Sequence, residues 1–293
     1  MQRQFSYYPG CTLHSTGKEY GQSTTTVCAA LGIELLELAD WNCCGASSAH
    51  SLNEELALTL PARNLAIAQA AGRDVVIPCA ACFNRHKVVD YVLSHQTDKR
   101  QEIEAAVGFQ YTGRVRQRNL VDIFAHEVGA ERLAAAVKQP LTGLKAVSYY
   151  GCLLVRPPEV TQFDDPEHPV LLDQLLVALG AEPQEWSFAT ECCGGNLTLN
   201  RADVVKPLVA NLVAMAQEAG AACIVTACPL CQVNLEARQG QANFPIFYFT
   251  ELIGLALGLP EAKHWFAQHL VDPRPLLRAT LSVDRVDKWQ VNK

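Results

Sequence analysis

The chain predicts an α/β fold of two pseudo-equivalent repeats, each a small, mainly parallel sheet flanked by helices, with cysteines in loops at the strand carboxyl ends. Three observations predict it. Ten of the twelve cysteines form two matching sets, strand-like and helix-like segments alternate through both, and 49% hydrophobic residues in 293 suffice for a packed core. The remaining composition, 18% charged and 8% aromatic, is that of an ordinary globular chain and excludes disorder. With 24 Lys and Arg against 30 Asp and Glu, the net charge is −6, which argues against nucleic acid as a partner. No apolar run approaches the ~18 residues that span a membrane. The opening MQRQFSYYPGC lacks the apolar stretch of a signal peptide. The expectation is a soluble, cytoplasmic protein without a transmembrane segment.

Each element has its own reason. Gln4–Tyr8 alternates and is aromatic, so it predicts a strand that ends at Cys11. Thr16–Leu31 has helical spacing and stops at Leu31-Gly32. Glu34–Leu38 is a second short strand, feeding the loop from Trp41 to Gly45. Asn53–Ala71 is rich in Ala and Leu and closes at Gly72, as a helix does. Asp74–Ile77 is a buried-type strand, and the CAAC turn after Pro78 opens a helix through Leu93. The second half repeats this order: strand Ala146–Tyr150, helix Val170–Leu179, strand Glu185–Phe188, helix Asp203–Ala219, strand Ala222–Thr226 and a helix from Leu230. Alternation of this kind implies parallel strands covered on both faces.

The cysteine spacing shows an internal duplication. Cys11, Cys43, Cys44, Cys79 and Cys82 read C-x31-CC-x34-C-x2-C. Cys152, Cys192, Cys193, Cys228 and Cys231 read C-x39-CC-x34-C-x2-C, so two spacers agree without a gap. YYPGC parallels YYGC, WNCCGAS parallels TECCGGN, VVIPCAAC parallels IVTACPLC, and LVDIFAHEVG resembles FTELIGLALG. The first repeat carries roughly twenty extra residues, placed at 95–118; five basic and three acidic residues there suggest a surface excursion. The domains expected are 1–143, 144–260 and a C-terminal tail, 261–293.

Several chemistries use clustered cysteines. A disulfide framework suits a small exported chain, and this one is neither small nor visibly exported. Tetrahedral zinc takes four ligands where each half offers five, leaving one thiolate idle. A redox dithiol at Cys79/Cys82 or Cys228/Cys231 needs no distant CC pair. Iron–sulfur clusters account for most of the pattern: thiolates are soft ligands, and Gly45 and Gly194-Gly195 let backbone amides approach the sulfurs. Zinc in one half and iron in the other also accommodates the unequal first spacers. The ferredoxin run C-x2-C-x2-C-x3-C-P is absent, so ordinary cubane clusters belong to another chain.

At these residues the sequence resembles the B subunit of heterodisulfide reductase. The tandem CCG pattern is complete in both repeats, over roughly residues 3–260. Glycolate oxidase and glycerol-3-phosphate dehydrogenase subunits share the motif but usually carry ferredoxin motifs in the same chain. The resemblance implies two noncubane [4Fe–4S] clusters, one on Cys11, Cys43, Cys44, Cys79 and Cys82, the other on Cys152, Cys192, Cys193, Cys228 and Cys231. It implies a disulfide substrate between them, either small or protein-bound, with the coenzyme M–coenzyme B heterodisulfide or a bacterial counterpart as the family substrate. It also implies partners: a ferredoxin-like cubane-cluster subunit (HdrC-like) and a flavin-containing subunit (HdrA-like). Two alternatives stand beside it, an electron-transfer module of a larger dehydrogenase and a zinc-stabilised interaction module.

Outside the pattern, Cys28 and Cys223 are expected as buried apolar residues. His14, His50 and His86 flank the first set, where an imidazole could donate a proton to a leaving thiolate, but packing or surface roles are the default. Lys18 and Arg85 are expected as solvated charges. Arg114, Arg116 and Arg118 alternate, so on a strand they would share one face and keep an edge soluble. Trp41 and Trp186 are expected to pack over the cysteine loops.

Overall fold

A computed structural model describes residues 3–46 and 49–281, so residues 282–293 of the expected tail lie outside the described part. The strands of the first repeat are β1 Arg3–Tyr7, β2 Ile33–Glu37, β3 Val75–Ile77 and β4 Gln117–Asn119; those of the second are β5 Lys145–Tyr149, β6 Glu182–Pro183, β7 Cys223–Thr226 and β8 Ile246–Tyr248. They form two four-stranded sheets, ordered β2-β1-β3-β4 and β6-β5-β7-β8, and every pairing is parallel. The α/β duplication is thus as expected. In each sheet the first strand lies between the second and third, so the chain direction across the sheet switches there. The crevice beyond the carboxyl ends at that switch is where such sheets bind ligands.

Burial explains the strands. Val75, Val76 and Ile77 in β3, and Cys223, Ile224 and Val225 in β7, are shielded on both faces. Parallel strands covered by helices read in this way as continuous apolar runs. The helices follow the expected order: Lys18–Ala30, Glu54–Ala71 and Ala80–His95 in the first repeat, Leu171–Ala178, Ala202–Glu218 and Pro229–Arg238 in the second. The two families of elements share one large core, in which Tyr20, Phe124, Tyr248 and Phe249 meet.

Three expectations need correction. The strand expected at Glu185–Phe188 is β6, Glu182–Pro183; Gln184 makes the last contact, its N–H on the Ala146 carbonyl at 2.7 Å. Trp186 and Phe188 then leave the edge and pack inward near Tyr149. Second, the polar stretch 95–118 is not a bare excursion. It holds a helix, Thr97–Val107, whose Ile103 joins Leu65, Val89, Leu93 and Tyr111 in a satellite core, and it ends in β4. Few apolar residues in the right places outweighed a polar average. Third, Arg118 does not share a solvent face with Arg114 and Arg116. It is buried and paired with Asp122 and Glu127, whereas exposed Arg116 pairs with Asp74 at 2.7 Å.

The fourth strands were not foreseen. β4 is the polar triplet Gln-Arg-Asn, held by pairing with β3 and by the Asn119 side chain, which donates to the Ile77 carbonyl at 3.0 Å. The LVDIF and FTELI segments follow β4 and β8 respectively; the first runs into a π-helical turn, Ile123–Val128, and the second into the helix Phe249–Ala256. Residues 261–281 fold back. Trp265 lies so close to Gly254 that a Cβ there would sit 2.4 Å from its ring, which explains that glycine.

Candidate metal centre

Both cysteine sets stand at the carboxyl ends of the parallel strands. Cys11 follows β1 in the short helix Gly10–Leu13, and Cys43-Cys44 lie in the loop beyond β2. Cys79 caps the N-terminus of the Ala80–His95 helix, which carries Cys82 in its first turn. The second set repeats the plan: Cys152 starts the helix Cys152–Val155, Cys192-Cys193 lie beyond β6, and Cys228 caps the Pro229–Arg238 helix with Cys231 in its first turn. The fold therefore brings together all five members of each set.

The two sets match in detail. The Cys44 and Cys82 sulfurs are 3.1 Å apart, and those of Cys193 and Cys231 are 3.6 Å apart. Gly45 N–H points to the Cys43 sulfur at 3.5 Å, and Gly194 N–H to the Cys192 sulfur at 3.3 Å. Gly10 and Gly151 have φ of +71° and +66°, and an added Cβ would stand 3.1 and 3.2 Å from the Cys82 and Cys231 sulfurs. Only glycine combines that backbone with that approach. Across the repeats, Cys79 and Cys228 interact through their side chains, so the two sets abut.

The electrostatics favour thiolates at some positions. Cys192 is lowered to about 6 by the Cys152 thiol, against burial and with help from Gly194 N–H. Cys228 is lowered by Cys231, by Cys79 and by the amides of its helix N-terminus. A cavity of about 140 Å³ is bounded by all five cysteines of the second set, with Ala80 and Ala81 of the first repeat. Among the described residues no three His, Cys, Asp or Glu donors close on a single ion. Sulfurs arranged around a volume suit a polynuclear iron–sulfur group better than one tetrahedral ion.

Other flanking residues take structural places. Cys28 and Cys223 are fully buried, and burial pushes both thiols up. His86 is buried against the Tyr8 ring with Nδ1 on the Cys82 carbonyl at 2.8 Å; burial lowers it to about 4. His14 is exposed and meets the Glu37 carboxylate at 3.1 Å, and His50 is exposed beside Ser51. Lys18 is exposed, whereas Arg85 is half-buried and donates to Asn84 Oδ1 at 2.7 Å. Trp41 packs edge-on to Tyr8 at 5.3 Å, and Trp186 donates to the Ser148 carbonyl at 2.9 Å.

Sequence reasoning missed the residues that hold the loops. Tyr8 donates to the Asn42 carbonyl at 2.9 Å, and Tyr149 to the Glu191 carbonyl at 2.7 Å. Each tyrosine stands three residues before its first cysteine, and each acceptor immediately precedes its CC pair. The repeated YY before Gly-Cys was the available signal. Asn64 grips Asn42 through its N–H and carbonyl, both at 2.9 Å, and Asn234 donates to the Cys193 carbonyl at 2.6 Å.

The comparisons agree with this geometry. A family described as "Cysteine-rich domain" (CCG) matches residues 5–85 and 146–236. The chain is 30% identical over 285 residues to the 8-methylmenaquinol:fumarate reductase membrane anchor subunit of Wolinella succinogenes, covering 94% of this chain and 100% of that one. It is 26% identical over 269 residues to the B subunit of the ferredoxin/F(420)H(2)-dependent CoB-CoM heterodisulfide reductase of Methanosarcina acetivorans, covering 87% and 89%. A protein of Archaeoglobus profundus described as like the heterodisulfide reductase B subunit is 29% identical over 281 residues, covering 89% and 92%. A hypothetical protein from Helicobacter pylori shares the fold, with a TM-score of 0.73 at 13% identity over 93% of this chain and 52% of that one. Among the described residues no helix is long and apolar enough to cross a membrane. Two repeats of one cysteine loop architecture, matched by family model and by relatives along their length, place the chain in the tandem CCG cysteine-rich family, among proteins like the B subunit of heterodisulfide reductase.

Proposed function

We propose that this chain is the iron–sulfur subunit that reduces a disulfide in a cytoplasmic heterodisulfide reductase-like complex. The observation that carries the reading is the direct meeting of two complete five-thiol sets, through Cys79 and Cys228. In this reading Cys11, Cys43, Cys44, Cys79 and Cys82 hold one [4Fe–4S] group, and Cys152, Cys192, Cys193, Cys228 and Cys231 the other, both noncubane. When bound, such groups supply electrons one at a time. The overall reaction is RSSR′ plus two electrons and two protons giving RSH and R′SH, with electrons from cubane-cluster and flavin partner subunits. The chain's own residues prepare the site. Gly45 and Gly194 amides offset sulfur charge, Tyr8 and Tyr149 fix the CC loops, and Cys44, Cys79, Cys82, Cys193 and Cys228 are buried while Cys11, Cys43 and Cys192 stay open to solvent.

A second reading is an electron-transfer role linked to a quinol, without a disulfide substrate. It is favoured by the end-to-end match to the fumarate reductase subunit and by exposed leucines in both repeats after the CC loops: Leu52 and Leu56 in the first, Leu197 and Leu199 in the second. Iron, sulfide and zinc content on anaerobically purified protein, then EPR during redox titration, tests both. About eight irons per chain, two clusters of four, with a signal altered by thiol or disulfide supports the first reading. Full iron that responds only to quinol supports the second, and zinc in place of iron defeats both.

A further inference from the structure

We propose that the two cysteine sets are coupled through the backbone behind Cys152 and that Asn84 of the first repeat is the positioning residue that couples them. The inference rests on the ligand reading above and adds a coupling between its two sites. Asn84 is fully buried on the Ala80–His95 helix, two residues beyond Cys82. Its side-chain N–H groups leave the first repeat altogether. They donate to the carbonyls of Leu153 at 3.1 Å and Arg156 at 2.8 Å, which belong to the short helix begun by Cys152 and to its C-cap. The amide cannot flip without loss, because Arg85 donates to Asn84 Oδ1 at 2.7 Å.

Two independent contacts point the same way. Tyr20, also from the first repeat and fully buried, donates to the carbonyl of Ala227 at 3.1 Å, immediately before Cys228. Ala80 and Ala81 line the cavity that the second set surrounds. In the other direction, the helix Pro229–Arg238, which bears Cys231, packs against the helix Gly10–Leu13, which bears Cys11. The helix that bears Cys79 and Cys82 thus also braces the backbone behind Cys152. Ligation that fixes its N-terminal turn pre-organises the second site, and through the same bonds ligation of the second site steadies the first.

The test uses the full chain. In reduced, metal-free protein, alkylation by iodoacetamide is followed at each cysteine by mass spectrometry. Asn84→Leu removes both donors, so Cys152 reacts about tenfold faster while Cys11 keeps its rate. Arg85→Gln leaves the buried contact in place but frees the amide, and moves Cys152 in the same direction by less. In loaded protein, Asn84→Leu lowers iron from about eight to about four per chain, two clusters of four becoming one. Cys82→Ser depletes the first site and lowers occupancy of the second, and Cys231→Ser depletes the second and lowers occupancy of the first. Equal acceleration at Cys11 and Cys152 in both variants means a loosened fold and overturns the inference, as does an unchanged Cys152 rate or a full second site in Cys82→Ser. A wild-type chain that takes up no iron defeats the ligand reading instead, and the alkylation ratio still decides the role of Asn84.

Discussion

The rings of Tyr20 and Tyr248 stack, with centroids 4.2 Å apart and planes 2° from parallel, at the seam between the two repeats. Both are fully buried, yet their hydroxyls fare differently. Tyr20 donates to Ala227, with the Pro78 carbonyl 3.5 Å away, while among the described residues the Tyr248 hydroxyl has no hydrogen-bond partner. Tyr20→Phe should therefore destabilise the chain by about 1 kcal/mol, because it strands a buried carbonyl. Tyr248→Phe should be neutral or slightly stabilising, since it removes an unpaired buried hydroxyl. Urea denaturation of the two variants beside the parent measures the contrast; equal losses would contradict it.

Gly10 and Gly151 test whether the backbone before each first cysteine is shaped for the site. Gly10→Ala puts a side chain at φ +71°, with a Cβ 3.1 Å from the Cys82 sulfur. The left-handed backbone alone costs on the order of 1–2 kcal/mol, and the sulfur must also move. The expected result is loss of about half the iron, from the first site for Gly10→Ala and from the second for Gly151→Ala. Full iron in either variant would show that the close approach is incidental.

Tyr8 and Tyr149 make the same bond in different repeats, so each removal should act locally. Tyr8→Phe should speed alkylation of Cys43 in the metal-free chain and leave Cys192 alone; Tyr149→Phe should do the reverse. Each should lower stability by about 1 kcal/mol. Loss of this selectivity would mean that the tyrosines brace the whole core rather than their own loops.

Acid–base behaviour should reveal a buried cluster beside β8. His269 bridges Glu236 at 2.8 Å and Glu251 at 2.9 Å, with all three side chains nearly or wholly inaccessible. Burial opposes charge on His269, but Glu251 and Glu236 outweigh it and push the imidazole up to about 11. Its contribution to stability is thus complete below the ordinary imidazole value near 6.5 and lost as pH rises through about 11. Glu19, on the neighbouring helix and facing Glu251, His269, Glu236 and Tyr248, is pushed up to about 7 by burial. A raised carboxyl contributes most below the ordinary value near 4.3, and that contribution is lost as pH rises through about 7. The parent chain and Glu19→Gln should be similarly stable at pH 5, with the parent falling behind above pH 7. Parallel stability curves from pH 5 to 9 would rule this out.

The two five-thiol sets were legible because their cysteines, both spacers and both following glycines repeat in the sequence. The strands rich in Val and Ile were legible too, since burial on both faces leaves a continuous apolar run. β4 was not legible, because Gln117, Arg118 and Asn119 look like a surface turn until β3, Asp122 and Glu127 satisfy them. Nor was the end of β6, where Pro183 lies on an edge that asks little of its missing N–H.

The sequence by itself determined the duplication, the two parallel α/β units and the two five-thiol sets, because periodicity and ligand identity are local properties of the chain. Only the tertiary structure decided how the halves meet: Cys79 against Cys228, Tyr20 beneath Ala227 and Asn84 behind Cys152. Those contacts join residues 69 to 207 positions apart. A tyrosine or an asparagine carries no mark of a distant carbonyl. Its role is fixed by the packing that buries it there and by the cost of leaving that carbonyl unpaired.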